Sequence, residues 1–246
     1  MVSLFFMLIL NEKKMNTKKK IVVLTGSGIS AESGLSTFRD SGGLWEGHDV
    51  MEVASPEGWR RNRELVLDFY NQRRRQLKEV VPNDAHIALK DLEDKYDVTI
   101  ITQNVDDLHE RAGSVNIIHL HGELNKARST VDEDEIYDLN GEDITTESKC
   151  VKGSQLRPHI VWFGEMVPMM DEAIRISLAA DIFIVIGTSL VVYPAASLLG
   201  FVKDDIPVYL IDPNEPGIYY RNENLKFIKE KAAKGTRELV KELLQM

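Results

Sequence analysis

A loop of small residues follows the first strongly apolar segment of the chain. Gly26-Ser27-Gly28-Ile29-Ser30 comes directly after Ile21-Val22-Val23-Leu24, so a buried strand is expected to open onto a tight turn. Glycine tolerates backbone angles and close approaches that a β-carbon forbids, and free N–H groups at a following helix start attract anions. The loop indicates a diphosphate site, with an ordinary tight turn as the alternative.

The glycine pattern differs from the fingerprint of hydride-transferring enzymes. The third glycine of G-x-G-x-x-G would fall at Ala31, where this chain keeps a side chain. An aromatic ring and a guanidinium, Phe38 and Arg39, follow just beyond the glycines. These residues favour a dinucleotide-binding site. The missing third glycine argues that the protein is not a classical dehydrogenase.

Predicted strands and helices, which would position this loop, alternate along the chain. Four apolar runs are typical of buried parallel strands: Ile21 to Leu24, Val98 to Thr102, Asp181 to Ile186 and Pro207 to Ile211. Helical periodicity occurs over Glu64 to Val80, Ala85 to Asp94, Met170 to Ala180 and Arg237 to Leu244. This alternation predicts an α/β fold with a Rossmann-like, doubly wound parallel sheet.

Polar residues follow each predicted strand. They are Gly26, then Gln103-Asn104-Val105-Asp106, then Gly187-Thr188-Ser189, then Asp212-Pro213-Asn214. Because the carboxyl ends of parallel strands share one edge of a sheet, these loops should line one cleft. The large domain is expected to comprise about 18–36, 82–121 and 159–246. The stretches 37–81 and 122–158 interrupt the alternation and are predicted to form a smaller inserted domain.

Composition limits the possible partners and location. The net charge of -9 argues against nucleic acid or an anionic membrane as partner. The single cysteine, Cys150, excludes an intrachain disulfide and fits a cytoplasmic location.

The apolar run near the N-terminus is short for a membrane span. Residues 1–14 are therefore expected to be a non-structural extension, with Met15 as the start. A signal peptide and a surface helix are the alternatives. The oligomeric state is left open, a monomer included.

Six motifs resemble, in order, those of the sirtuins, which are NAD-dependent protein lysine deacylases. They are Gly26-Ser27-Gly28-Ile29-Ser30, Phe38-Arg39-Asp40, Gln103-Asn104-Val105-Asp106, His119-Leu120-His121-Gly122, Phe163-Gly164-Glu165 and Gly187-Thr188-Ser189. The resemblance implies that NAD is consumed as a co-substrate. The acyl oxygen of an acyl-lysine would attack C1′ of the nicotinamide ribose, yielding nicotinamide, O-acyl-ADP-ribose and free lysine.

The resemblance also assigns roles to single residues. His121 matches the general base, a role that suits the near-neutral pKa of imidazole, and Asn104 and Asp106 complete the catalytic set. The segment Gln103-Asn104-Val105-Asp106 could also be a strand-end turn with Asp106 or Asp107 as a helix cap. This structural role is compatible with the catalytic one. The positions that would contact NAD are Gly26, Ser27, Gly28, Ile29, Ser30, Phe38, Arg39, Trp45, Gln103, Asn104, Val105, Asp106, Gly187, Thr188, Ser189, Asp212, Pro213, Asn214 and Ala232.

Tyr70 and Arg73 bear on which acyl group is removed. They lie three residues apart, on one face of a predicted helix, where a phenol and a guanidinium can bind a carboxylate. The pair, with a small residue at Ala54, resembles the class III sirtuins that remove succinyl and malonyl groups. A solvated basic face is the alternative, and acetyl-lysine is expected to remain a substrate. Gly164 and Glu165 are predicted to contact the substrate peptide.

The chain departs from the family pattern in its cysteines. Most sirtuins hold a structural zinc with two cysteine pairs; here Ala127-Arg128-Ser129-Thr130 replaces the first pair and Cys150 alone lies near the second. One thiolate does not make such a site, so no zinc is predicted. The small domain would rely on its own core, for which the candidates are Val131, Ile136, Tyr137, Leu139 and Ile144.

Two other functions are compatible with the motifs. ADP-ribosyl transfer would trap the cleaved nicotinamide ribose with a different nucleophile. A non-catalytic NAD- or ADP-ribose-binding module would need no base near the ribose, so the presence of His121, Asn104 and Asp106 together argues against it.

Overall fold

The computed structural model describes residues 18–36, 44–215 and 223–246. The elements are, in chain order, β1 (Lys20–Thr25), β2 (Leu44–Trp45), β3 (His48–Asp49), α1 (Val50–Val53), α2 (Pro56–Arg61), α3 (Arg63–Glu79), α4 (Asp84–Leu92), β4 (Asp97–Thr102), α5 (Leu108–Arg111), β5 (Ile117–His119), β6 (Gly122–Ser129), β7 (Ile136–Asp138), β8 (Leu156–Ile160), α6 (Met170–Leu178), β9 (Ile182–Ile186), β10 (Val208–Ile211), β11 (Leu225–Ile228) and α7 (Ala232–Gln245). The predicted N-terminal extension and Phe38 and Arg39 lie outside the described residues.

A six-stranded parallel sheet in the order β11-β10-β9-β1-β4-β5 forms the centre of the molecule. From β1 the chain builds β4 and β5 on one side and β9, β10 and β11 on the other, so the winding reverses at β1. The predicted doubly wound sheet is confirmed. Its edge strands β5 and β11 were not predicted, because they have only 3 and 4 residues and neither is fully buried.

Both faces of the sheet are covered, which explains why its central strands are continuous apolar runs. Ile21 and Val23 point to the face covered by α4 and α7. Val22 and Leu24 point to the opposite face, against α6 and the short 3-10 helix Ala195–Phe201. The side-chain alternation of β1 thus divides the large core into two layers.

The inserted segments build a second unit beside the sheet. It contains the three-stranded antiparallel sheet β7-β6-β8, the hairpin β2-β3 and the helices α1 to α3. A third apolar cluster unites these elements, with Phe69, Tyr70 and Trp162 among its buried members. The bounds 37–81 and 122–158 stay a prediction, and β8 continues past the second of them, to Ile160.

The expected small-domain core is correct only in part. Ile144 is buried, and Tyr137 and Leu139 pack against the third cluster. The prediction that Val131 and Ile136 belong to this core was wrong, since these residues are 72% and 45% exposed. Strand β7, which carries Ile136, is a three-residue edge strand and buries little on either face.

No helix within the described ranges is long and apolar enough to cross a lipid bilayer.

Candidate active site

A cavity of about 860 Å³ lies at the carboxyl edge of the parallel sheet, where the loops after β1, β4, β9 and β10 meet the inserted unit. The edge is the place where an open α/β sheet binds ligands, at the reversal of its winding. The predicted site residues that line the cavity are Gly26, Ser27, Gly28, Ser30, Trp45, Ala54, Tyr70, Arg73, Gln103, Asn104, Val105, Asp106, His121, Gly164, Glu165, Gly187, Thr188, Ser189, Asp212, Pro213, Asn214 and Ala232.

The glycine loop owes its residue types to the neighbouring loop after β9. The N–H of Gly26 donates to the carbonyl of Ile186 at 3.0 Å, and that of Gly28 donates to Gly187 at 2.8 Å. A β-carbon on either glycine would lie 2.7 Å from an atom of Thr188 or Gly187. The two loops therefore require glycine to pack together. The N–H groups of Gly26 and Gly28 are used in this packing, so only other N–H groups of the loop could face a diphosphate.

The residues after the glycines also differ from expectation. The loop continues into two 3-10 turns, Ser27–Ile29 and Ala31–Ser33, rather than into an α-helix. Ile29 does not line the cavity. Its side chain is fully buried in the core, in the same cluster as Ile21 and Val23, so its predicted contact with NAD is wrong for the side chain.

Ser30 joins the loops after β1 and β4. Its hydroxyl donates to Oδ2 of Asp106 at 2.9 Å and accepts from Nδ2 of Asn104 at 3.1 Å. Oδ1 of Asp106 accepts from the N–H of Leu108, the first residue of α5, at 3.2 Å, whereas Asp107 has the N-cap position and makes no side-chain capping bond. Burial raises the pKa of Asp106 against the opposing effect of the bonds from Ser30 and Leu108, making it more basic than an exposed carboxylate.

The imidazole of His121 is held in one tautomer. Its Nδ1 lies 3.0 Å from the carbonyl oxygen of Gln103, and because a carbonyl only accepts, Nδ1 carries the proton and Nε2 keeps its lone pair. Burial lowers the pKa of His121, and the bond to Gln103 opposes the shift only in part. A neutral ring with a free basic nitrogen is the state that a general base requires.

His119 differs from its neighbour. Its Nε2 lies 2.7 Å from Oε1 of Glu110, and its Nδ1 lies 3.2 Å from the carbonyl oxygen of Asn104. Burial alone would lower the pKa of His119, but the Glu110 carboxylate raises it. His119 therefore connects the Asn104 loop to α5, which is a structural role.

Two threonines beneath this loop were missed by the sequence analysis. The hydroxyl of Thr25 donates to Oγ1 of Thr102 at 2.9 Å, and Oγ1 of Thr102 accepts from the N–H of Asn104 at 3.0 Å. They are register partners at the ends of β1 and β4. The available signal was a threonine directly after the first predicted strand and another at the end of the second.

Tyr70 and Arg73 lie at the end of the cavity formed by the inserted unit. Each has a hydrogen-bond donor without an acceptor among the described residues. The Tyr70 side chain is fully buried, and its oxygen lies 3.1 Å from Nε1 of Trp162. Indole N–H only donates, so the phenol accepts, and within the described residues its own proton has no acceptor. The Nε of Arg73 is also buried and lacks a partner in this part of the chain.

Aromatic rings surround this pair. The guanidinium carbon of Arg73 lies 5.1 Å from the ring centre of Phe69. Trp45 meets the rings of Phe69 and Tyr70 edge-on, at centroid distances of 4.9 and 5.9 Å. Trp45, predicted to contact NAD, thus packs beside the residues predicted to recognise the acyl group. Ala54 is buried there and adds only a methyl group.

Glu165 lines the cavity but is occupied by protein groups. Its carboxylate oxygens accept from Nη1 and Nη2 of Arg157 at 2.6 and 3.1 Å, from Arg128 at 3.2 Å and from the N–H of Trp162 at 2.8 Å. Burial would raise its pKa, but the bond from Arg157 and the charges nearby lower it. The Glu165 carboxylate thus organises the cavity wall, and the contact of the Gly164–Glu165 segment with the substrate peptide stays a prediction.

The region of the family's zinc site holds a set of hydroxyl groups. Sγ of Cys150 lies 3.0 Å from Oγ of Ser154, which lies 2.7 Å from Oγ of Ser129. Structural zinc takes thiolate, imidazole or carboxylate ligands, four at a time. The hydroxyls and one thiol do not fit that requirement.

A lysine supplies positive charge at the same place. Nζ of Lys152 lies 2.6 Å from Asp132 and 2.9 Å from Glu135. Among the residues that the structure covers, no group of three His, Cys, Asp or Glu side chains is arranged to hold a metal ion. The donor set does not fit zinc, and the absence of the metal stays a prediction.

A doubly wound parallel sheet with a cavity at its winding reversal, closed by an inserted unit, defines a Rossmann-like nucleotide-binding class. The chain belongs to the Sir2 family, whose profile matches residues 26–194. The predicted sirtuin membership is confirmed.

Relatives and solved structures agree with this assignment. The chain is 55% identical to an NAD-dependent protein deacylase of Helicobacter pylori, over 93% of this chain and 99% of that protein. A deacylase of Bacteroides thetaiotaomicron is 52% identical over 92% and 98%. A Sir2 homologue in complex with NAD has a TM-score of 0.83 at 41% identity, covering 93% of this chain and 90% of that one. A Sir2 protein bound to an acetylated peptide has a TM-score of 0.75 at 29% identity, covering 100% of both.

Proposed function

We propose that this protein removes dicarboxylic acyl groups, succinyl or malonyl, from protein lysines in a reaction that consumes NAD. As a Sir2 family member with relatives named NAD-dependent protein deacylases, it is an NAD-dependent protein lysine deacylase. The preference for a carboxylate-bearing acyl group is the finer part of the proposal. The cavity has two functional ends: a catalytic end (Ser30, Asn104, Asp106, His121) and an acyl end (Ala54, Tyr70, Arg73).

The observation that carries the preference is the pair of unpaired donors at the acyl end. Within the described residues, neither the Tyr70 hydroxyl proton nor the buried Nε–H of Arg73 has an acceptor. Buried donors without partners are rare, and each costs about 1–3 kcal/mol. A carboxylate has two oxygens that only accept, whereas the methyl group of acetyl-lysine accepts nothing. The acyl end therefore matches a terminal carboxylate.

The protonation state of Tyr70 supports the same ligand. Burial raises the pKa of its phenol, with the Trp162 N–H lowering it only in part. The hydroxyl thus stays protonated and can donate to an anion. Together with the positive guanidinium of Arg73, it offers charge-assisted hydrogen bonds, which are stronger than neutral ones.

The catalytic end supports the common chemistry of the family. His121 presents Nε2 as a base that can take a proton from a ribose hydroxyl of NAD. Ser30 connects Asn104 with Asp106, which fixes an amide and a carboxylate for the nicotinamide ribose and carboxamide. The net reaction joins the acyl group to ADP-ribose, releases nicotinamide and free lysine, and consumes one water.

The remaining cavity residues fit the adenosine half of NAD. The loops of Thr188 and Asp212 follow β9 and β10, on the side of β1 away from His121. Solved Sir2 homologues in complex with NAD and with ADP-ribose support NAD as the ligand. A cytoplasmic location and the lack of nucleic-acid and membrane partners stay predictions from charge and cysteine content.

The test is turnover of matched peptides. The purified protein is incubated with NAD and one peptide carrying succinyl-, malonyl- or acetyl-lysine, while peptide mass and nicotinamide are followed together. We expect NAD-dependent loss of the acyl group, with succinyl or malonyl preferred. A peptide that gains the mass of ADP-ribose would instead indicate ADP-ribosyl transfer. NAD binding without turnover of any peptide would indicate a binding module.

A further inference from the structure

The indole of Trp162 is the one described group that bonds to the Tyr70 hydroxyl. Its Nε1 lies 3.1 Å from the phenol oxygen, across 92 positions of sequence. A phenol hydroxyl lies near the ring plane and has two orientations. Because the indole N–H occupies one side of the oxygen, the Tyr70 proton is directed to the other side.

Trp162 is itself held by charged and aromatic groups. The guanidinium carbon of Arg157 lies 3.3 Å from the centre of its ring, and Trp59 packs against it at a centroid distance of 5.6 Å. Arg157 pairs with Glu165, and an oxygen of Glu165 accepts from the backbone N–H of Trp162 at 2.8 Å. The indole is therefore fixed through its ring and its backbone, and it is 2% exposed.

We infer that Trp162 is a positioning residue for acyl-group selection, which holds the Tyr70 hydroxyl so that its proton is donated to the carboxylate of the acyl group. The inference rests on the proposed preference for dicarboxylic acyl groups. It assigns to the Arg157–Glu165 pair the task of keeping the indole in place. Trp162 acts through Tyr70 and needs no contact with the acyl carboxylate.

A purely structural role for Trp162 makes a different prediction. Trp162 belongs to the apolar cluster of the inserted unit, so loss of packing alone would reduce turnover of every acyl-peptide by a similar factor. Loss of the indole N–H would affect only substrates whose acyl group accepts from Tyr70. The ratio of succinyl to acetyl kcat/KM separates the two roles.

The test is a double-mutant cycle with Trp162→Phe and Tyr70→Phe. We expect Trp162→Phe to lower the succinyl-to-acetyl ratio of kcat/KM about fivefold, which corresponds to the loss of one neutral hydrogen bond. The change should come chiefly from KM. In the Tyr70→Phe background the same substitution should change the ratio by less than about twofold, because the two residues act on one interaction. Additive effects would overturn the inference.

Trp59→Phe is the matched control, since Trp59 packs in the same cluster and makes no bond to Tyr70 in the described structure. It should lower the ratio clearly less than Trp162→Phe does, because Trp59 contacts the indole ring of Trp162 but not the Tyr70 hydroxyl. If Trp59→Phe lowers the ratio as much as Trp162→Phe, packing explains both and the inference fails. If the wild-type protein has no preference for succinyl over acetyl, the proposed function fails first. A wild-type preference that Tyr70→Phe abolishes and Trp162→Phe leaves intact contradicts only the positioning role.

A measurement without a Trp162 variant covers the case in which that variant does not fold. The chain has 3 tryptophans, and Trp45→Phe and Trp59→Phe assign the indole ¹⁵N–¹H signals, so that of Trp162 is identified. Succinyl-lysine peptide should shift the Trp162 signal, and acetyl-lysine peptide should shift it much less. Equal shifts with both peptides would overturn the inference.

Discussion

The catalytic end and the acyl end of the cavity differ in how their polar groups are satisfied. At the catalytic end Ser30 bonds to both Asn104 and Asp106, and His121 bonds to a backbone carbonyl. At the acyl end, within the described residues, Tyr70 and Arg73 carry donors that have no acceptor. The satisfied end is organised before any substrate binds. The unsatisfied end has a positive charge and donors that are complementary to an anionic acceptor.

The largest effect is expected at the catalytic end. His121→Ala should lower the release of nicotinamide from NAD by at least about a hundredfold with either the succinyl- or the acetyl-peptide, because it removes the general base. NAD binding, measured by calorimetry, should persist and serves as the control for folding. Turnover close to that of the wild type would remove His121 from its catalytic role.

A smaller and selective effect is expected at the acyl end. Arg73→Met should lower kcat/KM for succinyl-lysine by roughly 10- to 100-fold, the range for a hydrogen bond to a charged group, and affect acetyl-lysine much less. Arg75→Met is the matched control on the same helix, since Arg75 is exposed and pairs with Asp143. Equal losses on both substrates, or an equal effect of Arg75→Met, would argue that the helix surface rather than a specific contact matters.

The two ends should also differ in pH dependence. Burial lowers the pKa of His121, so the base stays neutral at the usual imidazole pKa of about 6.5, and activity is lost only as pH falls through the lowered pKa. The succinyl-to-acetyl ratio should stay constant over this limb, because the phenol of Tyr70, whose pKa is raised by burial, remains protonated. Profiles of kcat/KM for both peptides test this. An inflection above pH 6.5 would contradict the His121 assignment.

The smallest effect is expected from metal removal. The hydroxyls of Ser129 and Ser154, the thiol of Cys150 and the Lys152–Asp132 ion pair occupy the region of the family's zinc site. Treatment with a chelator should leave the melting temperature and activity unchanged, because the predicted absence of zinc leaves no structural metal to contribute to folding. Bound zinc in elemental analysis, or a lower melting temperature after chelation, would contradict the predicted absence of zinc.

The fold and most of the catalytic end were readable from sequence for a physical reason. Buried parallel strands are continuous apolar runs, and their polar loops must meet at one edge, so Gly26, Asn104 and Gly187 could be expected in one cleft. The edge strands β5 and β11 escaped prediction because they are short and partly exposed. Their apolar residues are too few to form a recognisable pattern.

Long-range packing was not readable. The sequence suggested glycines for a diphosphate, but Gly26 and Gly28 are required by the loop at Gly187. It did not reveal that the Glu165 carboxylate is bonded by Arg128 and Arg157, which come from separate strands. A short motif records which residue types are present. The three-dimensional neighbours decide which of their polar atoms remain available.

The bond between Trp162 and Tyr70 illustrates the same limit. Helical spacing predicted that Tyr70 and Arg73 share a face, and both line the cavity. Only the structure reveals which of their donors are left without acceptors, since one acceptor site of Tyr70 is used by a residue 92 positions away.

The most direct test of the account compares two peptides that differ only in the end of the acyl group. A single lysine carries either succinyl or butyryl, which has the same number of carbons and a methyl group in place of the carboxylate. If the unpaired donors of the acyl end bind a carboxylate, kcat/KM should be at least about tenfold higher for succinyl-lysine. Equal values, or a preference for butyryl-lysine, would contradict the central claim that Tyr70 and Arg73 select the acyl group.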